Sequence, residues 1–383
     1  MEPIGIVGSG QLAGMLAEAA HAMDLELHLQ ATDPGDAAVA LASASVFGPS
    51  ESAAATAQLA TSCRRIAFEN EWVDIESLQA LEEKGIEFQP SAQVLAEVVN
   101  KRHQRNLLNR LNMPSPRWCE LEAVVSSGGK LPNHLDFPLM AKATCGGYDG
   151  RGTEKLLNRA AFEALLMRVD RRLWIVEEMV NYEKELAILV ARNQAGQISV
   201  FPLVETHQQH QQCEWVLAPA EVNHGVEARA RSMAVSIVTA LNYVGLLAIE
   251  FFLSPQGLLV NELAPRSHNS GHYTIEACGT SQFCQQLNVL ADRQLGSSAL
   301  LVPGALMVNL LGFEESNSTY QEQRNLLQAL PQAHLHWYGK RLSRPGRKLG
   351  HVTLLLHSLD AGLRRREAME LLAAVRQIWP NPA

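Results

Sequence analysis

None of the six cysteines in this 383-residue chain is placed to pair with or ligate beside another: Cys63, Cys119, Cys145, Cys213, Cys278 and Cys284 are scattered, without a CxxC or zinc-ligand spacing. That pattern excludes a disulfide framework and fits reduced thiols of the cytoplasm. No stretch is apolar for long enough to cross a bilayer. The amino end, MEPIGIVGSGQLAG, lacks the charged-then-apolar run and cleavage site of a secretory signal. Positive charge is also scarce, with 32 Lys and Arg against 40 Asp and Glu and a net charge of −8. Such a surface repels a nucleic-acid backbone, so an anionic ligand has to be met by locally placed Lys and Arg, and polynucleotide binding is not expected. Internal repeats and low-complexity segments are absent.

What is present is the composition of a globular protein, 47% hydrophobic and 19% charged, in a chain long enough for two or three domains. Over residues 1–98, short apolar strands (PIGIVGSG, LELHLQATDP, RRIAFEN) alternate with helical stretches, which predicts a small parallel α/β domain. One charged helix, VLAEVVNKRHQRNLLNRLN, follows, and two prolines in MPSPRW end it. Residues 99–292 mix strands with a helix around ARARSMAVSIVTALNY in an α+β pattern, and residues 293–383 predict a compact C-terminal domain.

Several segments carry chemistry. Gly8-Ser9-Gly10-Gln11-Leu12-Ala13 follows a strand and opens a helix, with Asp33 about twenty residues on. Backbone N–H groups at a helix start cradle phosphate, so a phosphate site, a nicotinamide dinucleotide site and a purely structural turn all fit. The run from Gly146 to Gly152 puts four glycines in seven residues between two strands, an entropic cost that a hinged lid over polyphosphate would use and a hairpin turn would not need. Glu250 and Glu262 lie in apolar strands joined by Ser254-Pro255-Gln256-Gly257. With Pro255, Gln256 and Gly257 as the loop, Ser254 faces Leu258 and the two carboxylates stand directly opposed, a repulsion that a bridging Mg²⁺ would turn into ligation. Glu177, Glu178, Met179 and Val180 end a strand, with Glu185 shortly beyond, and such a strand exit can meet an adenine edge and ribose hydroxyls. Lys101 and Lys142 are candidate phosphate ligands. Lys340, Arg341, Arg344, Arg347 and Lys348 concentrate five positive charges in nine residues, which suits either an anionic ligand or a solvated loop.

Taken in order, GSGQL, Phe68-Glu69-Asn70, GGYDGRG, NELAPRSHNSGH, HLHWYGK and RPGRKLGH resemble the ATP-grasp ligases over nearly the whole chain, and within them the branch of N5-carboxyaminoimidazole ribonucleotide synthetases. The resemblance implies an ATP-grasp fold with an N-terminal parallel α/β (pre-ATP-grasp) domain and a small C-terminal domain. It implies a reaction in which Mg²⁺-ATP phosphorylates bicarbonate and the carboxylate passes to the amine of 5-aminoimidazole ribonucleotide. By similarity, ATP would be held by Lys101, Lys142, Gly147, Tyr148, Asp149, Gly150, Arg151, Gly152, Thr153, Glu177, Glu178, Met179, Val180, Glu185, Gln208, Asn261 and Glu262, and the metal by Glu250 and Glu262. The ribonucleotide would meet Gly10, Gln11, Leu12, Glu69, Asn70, Asp149, Arg151, Lys340, Arg347 and Lys348. Arg151, His268, Asn269 and Lys340 would serve the chemistry, since donors aimed at developing charge act strongly in a dry site. Relatives suggest a homodimer. The chain departs from the usual pattern at Ala13-Gly14, where a basic residue is common, and at Thr206-His207-Gln208, where Asn-x-His is usual.

Three other readings compete: a formate-using ligase acting on glycinamide ribonucleotide, a nicotinamide-dependent oxidoreductase resting on the first glycine turn, and a non-catalytic regulator on the same scaffold. The oxidoreductase leaves Glu250, Glu262 and the second glycine run without a role. The regulator should lack a metal carboxylate, and both are present.

Overall fold

A computed structural model describes residues 2–147 and 152–382, and its strands fall into three sheets. The first is parallel, with β1 (Ile4–Val7), β2 (Leu27–Ala31), β3 (Ala44–Phe47), β4 (Arg65–Phe68) and β5 (Glu87–Phe88) in the order β3-β2-β1-β4-β5. Helices α1 (Gln11–Ala22), α2 (Ala53–Leu59) and α3 (Ile75–Glu82) form three of the crossovers, a short 3-10 helix (Ala37–Leu41) lies in the one from β2 to β3, and α4 (Ala92–Val98) follows β5. Ile4, Ile6 and Val7 are all buried, as strands covered by helices on both faces require. The strand order reverses direction between β1 and β4, so the loops at their carboxyl ends open a crevice where such folds bind ligands.

The single helix expected after this domain is two. α4 stops at Val98, and α5 (Lys101–Arg110) begins after Asn100, whose side-chain oxygen accepts from the N–H groups of Arg102 and His103. Asparagine competes for backbone donors in this way, which makes it a better cap than an interior residue.

The second sheet is antiparallel, β6 (Trp118–Glu120), β7 (Leu139–Ala143), β8 (Thr153–Leu156) and β9 (Trp174–Glu178), in the order β6-β9-β7-β8. Leu121 and Val124 of α6 (Leu121–Ser126) and Phe162 and Leu165 of α7 (Arg159–Leu166) pack on its Leu139, Ala141 and Val176.

The third sheet is the largest. It contains β10 (Lys184–Arg192), β11 (Ile198–Val200), β12 (Val204–Gln209), β13 (Gln212–Ala218), β14 (Gly245–Ser254), β15 (Gly257–Ala264), β16 (Gly304–Leu311), β17 (Ala333–Trp337) and β18 (Lys348–Leu356). Their order is β15-β14-β10-β12-β13-β16-β18-β17, with β11 beside β10. Along β10 the period of two sorts the core: Leu186, Ile188 and Val190 face α8 (His224–Ala240), while Ala187, Leu189 and Ala191 pack with residues of α9 (Thr274–Ala277) and α10 (Gln282–Leu290). Helices α11 (Gln321–Gln328) and α12 (Ala361–Ile378) cover the last strands through Leu327, Ala368 and Val375. The sheet runs unbroken from β13 into β16, Trp215 opposite Val308 through Ala218 opposite Ala305, so the segment from residue 293 onward extends the preceding sheet. Among the described residues no helix is long and apolar enough to cross a membrane.

Candidate active site

The β14–β15 hairpin opposes Glu250 and Glu262, by a route different from the one expected. Its loop is Pro255-Gln256, one residue shorter: Ser254 pairs with Gly257, which has a φ of 113°. Carried on, that register would set Glu250 against Asn261. A β-bulge beside Glu250 takes up one residue of β15 and restores the Glu250–Glu262 pair. Bulges re-aim side chains, and here Asn261 is turned to the same side as the carboxylates, donating from Nδ2 to Glu250 Oε2 at 3.3 Å and accepting from Lys142 Nζ at 3.1 Å.

Around this hairpin the two antiparallel sheets and α5 meet in one network of charges. Lys101 Nζ lies 2.7 Å from Glu262 Oε1. Lys142, on β7, lies 2.8 Å from Glu177 Oε2, and Arg105 Nε lies 2.6 Å from the other oxygen of the same carboxylate. Burial pushes the Glu177 carboxyl up, but Arg105 and Lys142 outweigh it and hold it down at about 2. Burial draws the Lys142 ammonium down despite the attraction of Glu177. The two opposed carboxylates part company. Burial, then Glu262, then Glu185 push Glu250 up to about 7, whereas at Glu262 burial is overcome by Lys101 and the more distant Lys142 and Arg105, and its carboxyl is lowered. Two carboxylates set against each other out of bulk water repel, and a cation or a shared proton between them relieves that repulsion. Both carboxylates are hard oxygen donors, 28% and 39% exposed, and no third His, Cys, Asp or Glu joins them among the described residues. The set therefore fits a Mg²⁺ that keeps water and phosphate oxygens as its remaining ligands.

Glu177, expected among the residues at the nucleotide, has its side chain closed between two cations at 1% exposure. Glu178 is held by Arg117, leaving Met179 exposed and Val180 half-buried at the strand exit. Glu185 accepts from Tyr182 at 2.5 Å, and Tyr182 stacks on Phe252 at 4.7 Å. Gln208, on β12, sits at a second bulge next to His207. Of the glycine run, Gly147, Gly152 and Thr153 are described, Lys142 pairing with Thr153; Tyr148, Asp149, Gly150 and Arg151 lie outside the described residues.

At the β1–β4 crevice the first glycine turn holds an anion belonging to the chain. Glu69 accepts from Gly10 N at 2.6 Å and from Leu12 N at 3.1 Å, so the N–H groups expected at a phosphate are donated to a buried carboxylate. This explains the glycines: a Cβ on Gly8 or Gly10 would lie 2.6 Å or 2.4 Å from a Glu69 oxygen. Burial pushes the Glu69 carboxyl up, against those N–H groups and Arg266. Gln11 points elsewhere, accepting from Lys340 Nζ at 3.0 Å, and Lys340 also donates to Lys348 O at 2.7 Å. Arg347 donates to Leu342 O, and both it and Arg344 are exposed. Asn70 accepts from Trp72 N.

Between the two ends runs the loop after β15. Arg266 pairs with Glu71 at 2.9 Å. His268 places Nε2 3.4 Å from Glu250 Oε1, and Gln282 fixes its backbone by accepting from its N–H at 2.8 Å and donating to its carbonyl at 2.9 Å. Asn269 and Asn309 exchange two amide hydrogen bonds, 2.9 and 2.7 Å, tying this loop to β16. The loop thus reaches the carboxylate pair, the β4 crevice and the C-terminal strands.

This three-part arrangement is matched along its length by family models: a ribonucleotide synthetase preATP-grasp domain over residues 1–99, an ATP-grasp domain over 106–283 and a phosphoribosylaminoimidazole carboxylase C-terminal domain over 305–365. The N5-carboxyaminoimidazole ribonucleotide synthase of Synechococcus elongatus is 47% identical over 100% of this chain and 96% of its own. The chain belongs to the N5-carboxyaminoimidazole ribonucleotide synthase family. The synthetase of Thermus thermophilus superposes with a TM-score of 0.86 at 30% identity, covering 99% of both chains. The Aspergillus clavatus synthase, solved in complex with ADP and 5-aminoimidazole ribonucleotide, does so at 0.87 and 27%, covering 98% of this chain and 99% of its own. The family's ATP-grasp architecture is therefore that of this chain. Sequence reasoning named neither Arg105 nor Gln282 as part of the site; Arg105 had a signal, lying four residues after Lys101 and so on the same helical face.

Proposed function

We propose that this member of the family is an ATP-dependent ligase that carboxylates 5-aminoimidazole ribonucleotide with bicarbonate, giving N5-carboxyaminoimidazole ribonucleotide, ADP and phosphate in purine biosynthesis. The observation that carries it is the opposed Glu250–Glu262 pair with Lys101, Lys142 and Asn261 around it, joined through His268 and Arg266 to the β1–β4 crevice. In this reading Lys101 and Lys142 meet the polyphosphate, and the strand exit at Met179 and Val180 with Glu185 meets the nucleoside. Glu250 and Glu262 hold Mg²⁺, which supplies neutralisation of the phosphates. A bicarbonate oxygen attacks the γ-phosphorus and ADP leaves; the substrate amine then attacks the carbonyl carbon, phosphate departs and the nitrogen loses a proton. His268 and Asn269, fixed by Gln282 and Asn309, donate in this reading to the negative charge that grows at this centre. Lys340, with Gln11, Arg347 and Lys348, forms the phosphate end of the ribonucleotide site, and Glu69 and Asn70 flank its base and sugar. Arg151 and Asp149 belong to the ribonucleotide site by the resemblance. The proposal includes a cytoplasmic location, from the cysteine pattern, and a homodimer, as the resemblance implies.

The dinucleotide alternative is disfavoured by Glu69, whose carboxylate takes the N–H groups a pyrophosphate would need. The deciding experiment is ADP release on a panel of amines and acids. Full rate should require both 5-aminoimidazole ribonucleotide and bicarbonate, and equal turnover with glycinamide ribonucleotide and formate would sink the assignment.

A further inference from the structure

Lysine is a flexible four-carbon stem carrying a point charge, so a lysine that must meet a phosphate in one place needs its ammonium aimed by its neighbours. Lys142 has two such neighbours, Glu177 Oε2 at 2.8 Å and Asn261 Oδ1 at 3.1 Å, and its third N–H has no partner among the described residues. One side chain fixes both. Arg105, 1% exposed, donates from Nε to Glu177 Oε1 at 2.6 Å and from Nη2 to the backbone carbonyl of Asn261 at 2.9 Å. The guanidinium thereby spans from β9 to the bulge of β15 and holds both partners of Lys142 at once. Its helix also supplies Lys101, one turn earlier, to Glu262.

We propose that Arg105 is a positioning residue of the nucleotide site, which acts through Glu177 and Asn261 to direct the Lys142 ammonium at the polyphosphate. The proposal rests on the nucleotide-site reading above and on nothing in the carboxylation step. Buried ion pairs are poor evidence of stability, because apolar residues of the same volume often hold a core as well or better. What apolar residues cannot do is pin a carboxylate and a carbonyl in fixed relation to a third group, and the rigid guanidinium fork does so where a lysine could satisfy only one.

The test compares Arg105→Lys and Arg105→Met with the wild-type enzyme, after ADP affinity has been measured by calorimetry and turnover with 5-aminoimidazole ribonucleotide and bicarbonate has been established. Arg105→Lys is expected to raise the KM for Mg-ATP about tenfold, with kcat changed less than about threefold and the KM for the ribonucleotide unchanged. Arg105→Met should raise the ATP KM further, and Glu177→Gln should show the same split. ADP affinity should fall in parallel, which a merely structural role would leave in place in the folded fraction. An ATP KM within twofold of wild type in folded Arg105→Lys overturns the proposal; should Arg105→Met prove insoluble, Arg105→Lys and Glu177→Gln still decide it. If wild type binds ADP but carboxylates nothing, the reaction assignment fails and the positioning role is still judged by ADP affinity.

Discussion

The nucleotide end and the β1–β4 crevice close their charges in opposite ways. At the first, a cation of the chain, Lys101, lies on a carboxylate that is 39% exposed and paired across the strand with a second one. At the second, a carboxylate of the chain, Glu69, lies on backbone N–H groups at 7% exposure, in a turn whose glycines leave room for nothing larger. An exposed closure between mobile side chains can be exchanged for a ligand. A buried closure onto backbone is architecture, and in the proposed reading ligand recognition there falls to the side chains around it, Gln11 and Lys340. The glycine turn that most resembles a phosphate loop is thus the more structural of the two.

Three substitutions sharpen this contrast. The largest effect belongs to Glu262→Gln, which in the proposed reading replaces a hard anionic ligand by a neutral amide and which removes the partner of Lys101. Mg-ATP turnover should fall at least about 100-fold at limiting magnesium while the fold is kept, and wild-type turnover in that assay would reject the metal role.

Next comes Glu177, lowered in the fold from an ordinary 4.5 to about 2. A depressed carboxyl stabilises the fold above its unfolded value and loses that contribution as pH falls toward the folded value. The contribution is on the order of 3 kcal/mol. In urea unfolding, the advantage of wild type over Glu177→Gln should shrink by about 2 kcal/mol between pH 6 and pH 3. A constant gap would mean that Arg105 and Lys142 do not hold this carboxylate charged.

Glu69→Gln should give the smallest change and the reverse slope. Burial raises the folded carboxyl above its ordinary value, so the folded chain keeps its proton longer and loses stability as pH rises through that window. Relative to Glu69→Gln, wild type should lose ground from pH 4 to pH 7, within an overall difference of about 1 kcal/mol set by the amide's mismatch with two N–H donors. A slope of the same sign as that of Glu177 would break the distinction between the two ends.

Much of this was legible in the chain. Short apolar runs marked the strands that carry Lys142, Glu177, Glu250 and Glu262, and the hairpin brought the last two together. Yet that pairing was reached through a loop one residue too long, and the error was cancelled by a bulge that strand periodicity does not reveal. The break between α4 and α5 hid in a helical pattern because Asn100 acts through its cap geometry. Glu69 and Arg105 were opaque for a common reason: their partners are 59 and 72 residues away in sequence, and local spacing is silent about charges that meet only after the sheets assemble.

The seam between β13 and β16 bears on how this chain can be divided. Three family models match three stretches of it, but the last stretch begins on a strand that completes the ladder of the one before. A cut at residue 293 would strip β13 of its neighbour and leave Trp215 to Ala218 as a bare apolar margin, a template for pairing with other chains. Asn269 would lose Asn309 in the same stroke. The C-terminal piece is therefore joined to the rest of the chain as one continuous sheet, and separating it would expose an edge on both sides of the cut.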